Sequence, residues 1–157
     1  LIKIAALDKL FSTSIYWPEE YAKHLAEKVF TSDSEGIELL SKIADFPGTP
    51  DKKGHKYYLS FASKYYHFFV KPNLPIYDDY VRRALTEKGY EITGEKIGKY
   101  SSFVDAIEKY RSKRGKNGQL FKYANVTEEL FEIDRELWNR GNEIKKEEKE
   151  NREGPKT

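Results

Sequence analysis

The 157-residue sequence predicts an all-α protein, a single compact domain of six or seven helices followed by a charged C-terminal tail. Three observations carry that prediction. Apolar residues recur at spacings of three and four through most of the chain, the period of a helix with one buried face. Helix-start residues precede several of these runs: Pro18-Glu19-Glu20, Ser32 with Glu35, Asp78-Asp79 and Thr127. Hydrophobic content is only 38%, yet 23 residues are Tyr, Phe or Trp, so the core must be built largely from rings with Tyr hydroxyls at its edge. A chain of this length buries enough surface to fold alone.

The elements follow in order. Ile2, Ala5, Ala6 and Leu10 predict a short amphipathic helix that ends near Ser12-Thr13-Ser14. Pro18 suits a first helical position, and Glu19 and Glu20 suit the positive end of the helix dipole. Ala22, Leu25, Ala26, Val29 and Phe30 form its buried stripe. Ser32 and Glu35 read as a capping box for a helix that buries Ile37, Leu40, Ile43 and Ala44. Pro47, Gly48, Pro50 and Gly54 make 46–54 a loop.

A helix is predicted over about 55–70, with Tyr58, Phe61, Ala62, Tyr65, Phe68 and Phe69 on one stripe and Pro72 and Pro75 ending it. The next starts at Asp78 or Asp79 and buries Val81, Ala84 and Leu85. Gly89, Gly94 and Gly98 mark a loose connection, with a short extended piece at Tyr90-Glu91-Ile92. Ser101 or Ser102 caps a helix carrying Phe103, Ile107 and Tyr110. Thr127 caps the last, which carries Leu130, Ile133, Leu137 and Trp138. The helical domain spans 1–141. Residues 142–157, with five bases and five acids, read as a helical extension or a disordered tail.

Composition removes whole classes of chemistry. With no Cys there is no disulfide scaffold, no thiolate metal site and no Cys nucleophile. No apolar run approaches the roughly 20 residues of a membrane span, and no signal peptide is visible in Leu1–Leu10, so a cytoplasmic location without membrane attachment is expected. His24, His55 and His67 stand far apart and no phosphate-cradling glycine loop is present, so neither metal nor cofactor is expected. The absence of Met and Cys, a single Gln, 21 Lys and 18 Glu fit heat adaptation and redesign alike. A chain that opens on Leu1 reads as trimmed or as a fragment.

The net charge of +2 conceals segregation. Residues 19–51 hold eight acids and three bases. Residues 52–71 hold Lys52, Lys53, Lys56, Lys64 and Lys71 and no acid; residues 109–123 hold Lys109, Arg111, Lys113, Arg114, Lys116 and Lys122 and no acid. Both basic blocks are interleaved with aromatics, the first with Tyr57, Tyr58, Tyr65 and Tyr66 and the second with Tyr110, Phe121 and Tyr123. Cations neutralise phosphates and exposed rings stack on bases, so DNA or RNA is the expected partner. Arg82 and Arg83, behind Asp78-Asp79, extend the set. The competing reading is a solvated cationic face paired with the acids of 19–51.

The densest segment is Leu59–Leu85: a helix, a proline-braced loop and a second helix led by an acid. A carboxylate at a helix start is an ordinary cap. Beside cations and rings, it is also placed to stabilise positive charge developing on a sugar or to orient a water. The pattern Ser60-Phe61-Ala62-Ser63-Lys64-Tyr65, His67-Phe68, Pro72, Pro75-Ile76-Tyr77-Asp78, Tyr80-Val81 resembles a family of uncharacterised bacterial proteins, as do Leu7–Ile15 and Ile133-Asp134 with Leu137-Trp138.

More distantly, Lys71-Pro72 through Pro75 to Asp78, then Val81-Arg82-Arg83, is similar to the helix-hairpin-helix DNA glycosylases, in which a proline loop leads to a catalytic Asp at a helix start. That resemblance implies a glycosylase-like helical bundle, with Asp78 as catalytic acid and Lys64 as assisting cation. Tyr66, His67 and Tyr77 are then candidates to contact a flipped base. The hairpin glycines are not recognisable in Lys56-Tyr57-Tyr58-Leu59, and the lysine nucleophile of bifunctional members falls near Ser60. The resemblance therefore implies monofunctional base excision. Three readings stay open: such a hydrolase, a non-catalytic nucleic-acid-binding domain, and a protein-interaction domain or redesigned scaffold.

Overall fold

The computed structural model describes residues 1–11, 14–31, 33–49, 52–113 and 127–153. The fold is mostly α: seven α-helices and one two-stranded sheet among the described residues. The chain divides into two compact units, Leu1–Ile76 and Tyr77 onward.

The first unit holds α1 (Ile2–Phe11), α2 (Pro18–His24), α3 (Gly36–Ala44), β1 (Asp45–Thr49), β2 (Lys52–Tyr57) and α4 (Leu59–Phe69). Pro18 opens α2 as expected, with Glu19 and Glu20 in its first turn. The helix then widens into a π turn over Leu25–Val29, where the Phe30 amide donates to the Leu25 carbonyl at 3.0 Å. Tyr21 is the centre of the core. Its ring meets Phe46, Tyr58 and Phe61 edge-on at 5.2, 5.4 and 5.4 Å, and its hydroxyl donates to the Ile43 carbonyl. Such pairs add about 0.5–1.5 kcal/mol each beyond burial.

Two expectations are corrected here. Residues 46–49 and 52–54 are strand rather than loop, and the helix does not begin at His55. β1 and β2 pair antiparallel, Asp45 with Tyr57 and Thr49 with Lys52. The register slips between Phe46 and Gly48, where Pro47 has no amide to give the ladder. The Tyr58 amide donates to the Ala44 carbonyl at 2.8 Å, tying the hairpin to the end of α3 and delaying α4 to Leu59. α3 likewise starts at Gly36 with no side-chain cap, later than Ser32 and Glu35 suggested; Ser32 lies outside the described residues. The Ser34 hydroxyl donates to the Glu38 carboxylate instead, at 2.7 Å.

The second unit holds α5 (Asp79–Glu87), α6 (Lys96–Lys113) and α7 (Thr127–Glu153). α5 starts where predicted, and α7 is helical from Thr127, the first described residue of that stretch. α6 begins several residues before Ser101 and Ser102, which therefore sit inside it. The Ser101 hydroxyl donates to the Ile97 carbonyl, while Ser102 bridges back to the connection, accepting from the Thr93 amide at 3.1 Å. The residue 141/142 boundary drawn from the sequence falls inside α7, which continues to Glu153.

α5 and α7 meet at Gly141, where a Cβ would lie 1.9 Å from the Tyr80 carbonyl oxygen. Only glycine allows that approach. Around it, the Tyr80 ring stands edge-on to Trp138 at 5.1 Å. Ion pairs link Arg83 to Glu148 at 2.6 Å and Arg140 to Glu87.

Candidate functional site

Asp78 caps α5. Its carboxylate accepts the Tyr80 amide at 2.9 Å, and its backbone is extended, which fixes the side chain at the helix start. Tyr77 beside it packs its ring edge-on against Phe103 at 5.0 Å. Asp79 is clasped by both arginines: Arg82 Nη2 and Arg83 Nε each lie 2.7 Å from its carboxylate. Burial raises the Asp79 pKa, but the hydrogen bonds from Arg83 and Arg82 outweigh it and hold the carboxyl below its usual value. Arg82 and Arg83 are thus engaged within their own unit, Arg83 also by Glu148.

Lys64 belongs to the first unit and Asp78 to the second. α4 is buried from Phe61 to His67, a helix enclosed on all sides rather than along one stripe. Lys64 is 3% exposed; its ammonium donates to the Ser60 hydroxyl at 2.7 Å and stands 5.6 Å from the Phe11 ring centre. Tyr66 is buried, and burial pushes its phenol up. His67 is buried with Nδ1 at 3.2 Å from the Leu74 carbonyl, and burial pushes its imidazole down. As base-contacting candidates both are enclosed, whereas Phe68, expected on the buried stripe, is 47% exposed.

The two basic blocks separate in character. On the hairpin, β2 carries Lys52, Lys53 and Lys56 in sequence, with Lys52 and Lys53 paired to Thr49 and Gly48. Lys56 is exposed and its ammonium lies 5.4 Å over the Tyr16 ring. Tyr16 is 57% exposed. Sequence reasoning passed over Tyr16 because it lies outside any basic block; only the hairpin brings it beside Lys56. Lys71 is exposed after the end of α4.

In the second block Arg111 is buried on α6, and Lys113 stands 5.0 Å over the Tyr90 ring. A cavity of about 530 Å³ there is lined by Tyr90, Asp105, Glu108, Lys109, Ser112 and Lys113. The block that is acid-free in sequence therefore receives two acids from the preceding helical turn. Arg114 and Lys116 lie outside the described residues.

Among the described residues no cluster of His, Asp or Glu could hold a metal ion. No described helix is long and apolar enough to cross a membrane. No curated protein and no solved structure matches the chain. A family model, HI_0787_N, described as an N-terminal domain, matches residues 1–74. The matched stretch ends beside the boundary of the first unit at Ile76, so the similarity covers the hairpin and α4 and leaves α5, α6 and α7 beyond it.

Proposed function

We propose that this protein binds nucleic acid, with phosphates held by the cations of the β1–β2 hairpin. The observation that supports this reading is Lys56 on β2, exposed and set over the exposed ring of Tyr16, on a strand whose sequence also supplies Lys52 and Lys53. Lysines release counterions when they meet phosphates, and a nearby ring adds stacking. Lys71 adds a further exposed cation in the same unit. A titration of labelled DNA and RNA tests this. Affinity should fall steeply with salt and drop about tenfold or more in a Lys52→Ala, Lys53→Ala, Lys56→Ala variant. A flat salt response, or no binding at low salt, leaves the protein-interaction reading instead.

A second reading, monofunctional base excision, is favoured by Asp78: a half-buried carboxylate fixed at the start of α5 behind the proline loop. In that chemistry it stabilises the cationic sugar as the glycosidic bond breaks, and water completes the hydrolysis. An Asp78→Asn variant should keep its DNA affinity and release no base from a panel of lesions. Wild type that releases none removes the reading.

A further inference from the structure

Resting on the nucleic-acid reading, we infer that Tyr16 is a stacking platform for an unpaired base, so that the hairpin face takes single-stranded rather than duplex nucleic acid. Tyr16 and its neighbour divide two tasks. Trp17 adopts a left-handed backbone, φ 54°, which L-residues other than Asn and Asp seldom occupy and which costs of the order of 1 kcal/mol. Packing holds it there. The Trp17 ring lies 6.4 Å from buried Phe46 and beside Gly54 of β2, where even a Cβ would meet it only at ordinary contact distance, 4.0 Å. Trp17 is therefore the anchor.

The chain reversal at Trp17 leaves Tyr16 outward, and the Tyr16 amide, 3.3 Å from the Tyr58 hydroxyl, ties it back to the end of the hairpin. The ring that results is more than half exposed, while its backbone is tied to Tyr58 by that one hydrogen bond. Lys56 stands at that ring, one cation for one phosphate. A base that stacks here must first leave a helix, or never have been in one.

The surrounding charge favours one backbone over two. Glu19 and Glu20 are exposed in the first turn of α2, three and four residues along the chain from Tyr16. They repel a second line of phosphates, which a duplex would bring and a single strand would not.

The test is anisotropy titration of four labelled probes of equal length: oligothymidylate, oligouridylate, and DNA and RNA duplexes. Wild type should bind the single strands at least about fivefold more tightly than the duplexes. Tyr16→Ala should lose about tenfold on single strands and little on duplexes, as expected for one lost stack. Tyr16→Trp should restore the affinity. Because Tyr16 is exposed, circular dichroism of Tyr16→Ala should match wild type, and the Trp variant guards against a fold effect. Equal loss on both probe types, no loss, or a duplex preference overturns the inference while hairpin-dependent binding stands. Wild type that binds none of the probes overturns the nucleic-acid reading itself.

Discussion

The two units are held together by different physics. The first is an aromatic assembly: Tyr21 meets three rings edge-on and makes one buried hydrogen bond, and α4 is enclosed along most of its length. The second also buries apolar residues, among them Val81, Leu85, Phe103 and Leu137, but is set apart by a backbone-to-backbone approach at Gly141 and a set of exposed ion pairs between α5 and α7. Ring packing is tolerant of detail but loses much when a ring is removed. Close backbone approach is intolerant of a single methyl group, while exposed ion pairs contribute little.

The largest effect should come from Tyr21→Ala. It removes a fully buried ring and leaves the Ile43 carbonyl without its donor, a loss of about 3–5 kcal/mol of the kind found for large aromatic truncations. Tyr21→Phe separates the two causes: it keeps the ring and should cost about 1–2 kcal/mol. Hydrogen exchange should place the Tyr21→Ala loss in α2, α3 and α4. A loss spread equally over α5 and α7 would mean that the two units unfold as one.

Gly141→Ala comes next. The added methyl meets the Tyr80 carbonyl at 1.9 Å, and backbone rather than a movable side chain has to yield. About 1–3 kcal/mol is the usual range for such overpacking, and this contact belongs at its upper end. Helix propensity works the other way, favouring Ala by about 1 kcal/mol, so a stabilised Gly141→Ala variant would refute the close approach. Denaturant unfolding read at Trp138, which packs on Tyr80, follows this unit directly.

Acid should separate the units more gently. Burial lowers the His67 pKa in the first unit, and an unfolded His titrates near about 6.5. Between the two values the unfolded chain binds more protons, so this contribution is complete above about pH 6.5 and lost as pH falls below it. In the second unit the Arg140 hydrogen bond lowers Glu87, and the arginine hydrogen bonds lower Asp79 against the opposing effect of burial. Their contribution is complete above about pH 4 and lost only as pH falls through the folded values. These carboxylates are exposed, so the second loss is small and salt-sensitive. Exchange protection, corrected for intrinsic rates, should weaken in α4 before α5 and α7 as pH drops from 7 to 4. The reverse order would contradict the burial of His67.

Much of this was legible in the residues. Pro18-Glu19-Glu20 and Asp78-Asp79 announced α2 and α5 because start signals are local: they act on amides within one turn. The hairpin was misread because Tyr57, Tyr58, Phe61 and Tyr65 also satisfy a helical period, and only the pairing with 45–49, a non-local fact, decides for a strand. Lys64 read as one more cation of the first basic block because sequence cannot tell a one-sided helix from one enclosed on all sides, whereas His67 sits as its aromatic neighbours suggest, packed against Phe68. Asp78 was legible as a cap, and the cap is what the carboxylate does within its own unit. Tyr16 was invisible, since its partner Lys56 is 40 residues away.

The smallest predicted effect bears on where the proposed nucleic-acid contact would lie. By sequence the block at 109–123 is the more basic, with six cations against five at 52–71. Among the described cations of the second block, Lys109, Arg111 and Lys113, folding works against that ranking. α6 sets Asp105 and Glu108 one turn before Lys109 and Lys113 in the same cavity wall, and Arg111 is buried. A phosphate approaching there meets acids and bases together, and at physiological salt opposed charges within about 8 Å largely cancel. The hairpin's Lys56 faces a ring instead of a carboxylate. A Lys109→Ala, Lys113→Ala variant should therefore weaken binding less than about threefold, against about tenfold for the hairpin variant. It should also leave the slope of affinity against salt nearly unchanged, because a phosphate that approaches there also meets Asp105 and Glu108. If the α6 pair instead lowers both affinity and slope more than the hairpin lysines do, the second unit carries the interface and the sequence count was the better guide.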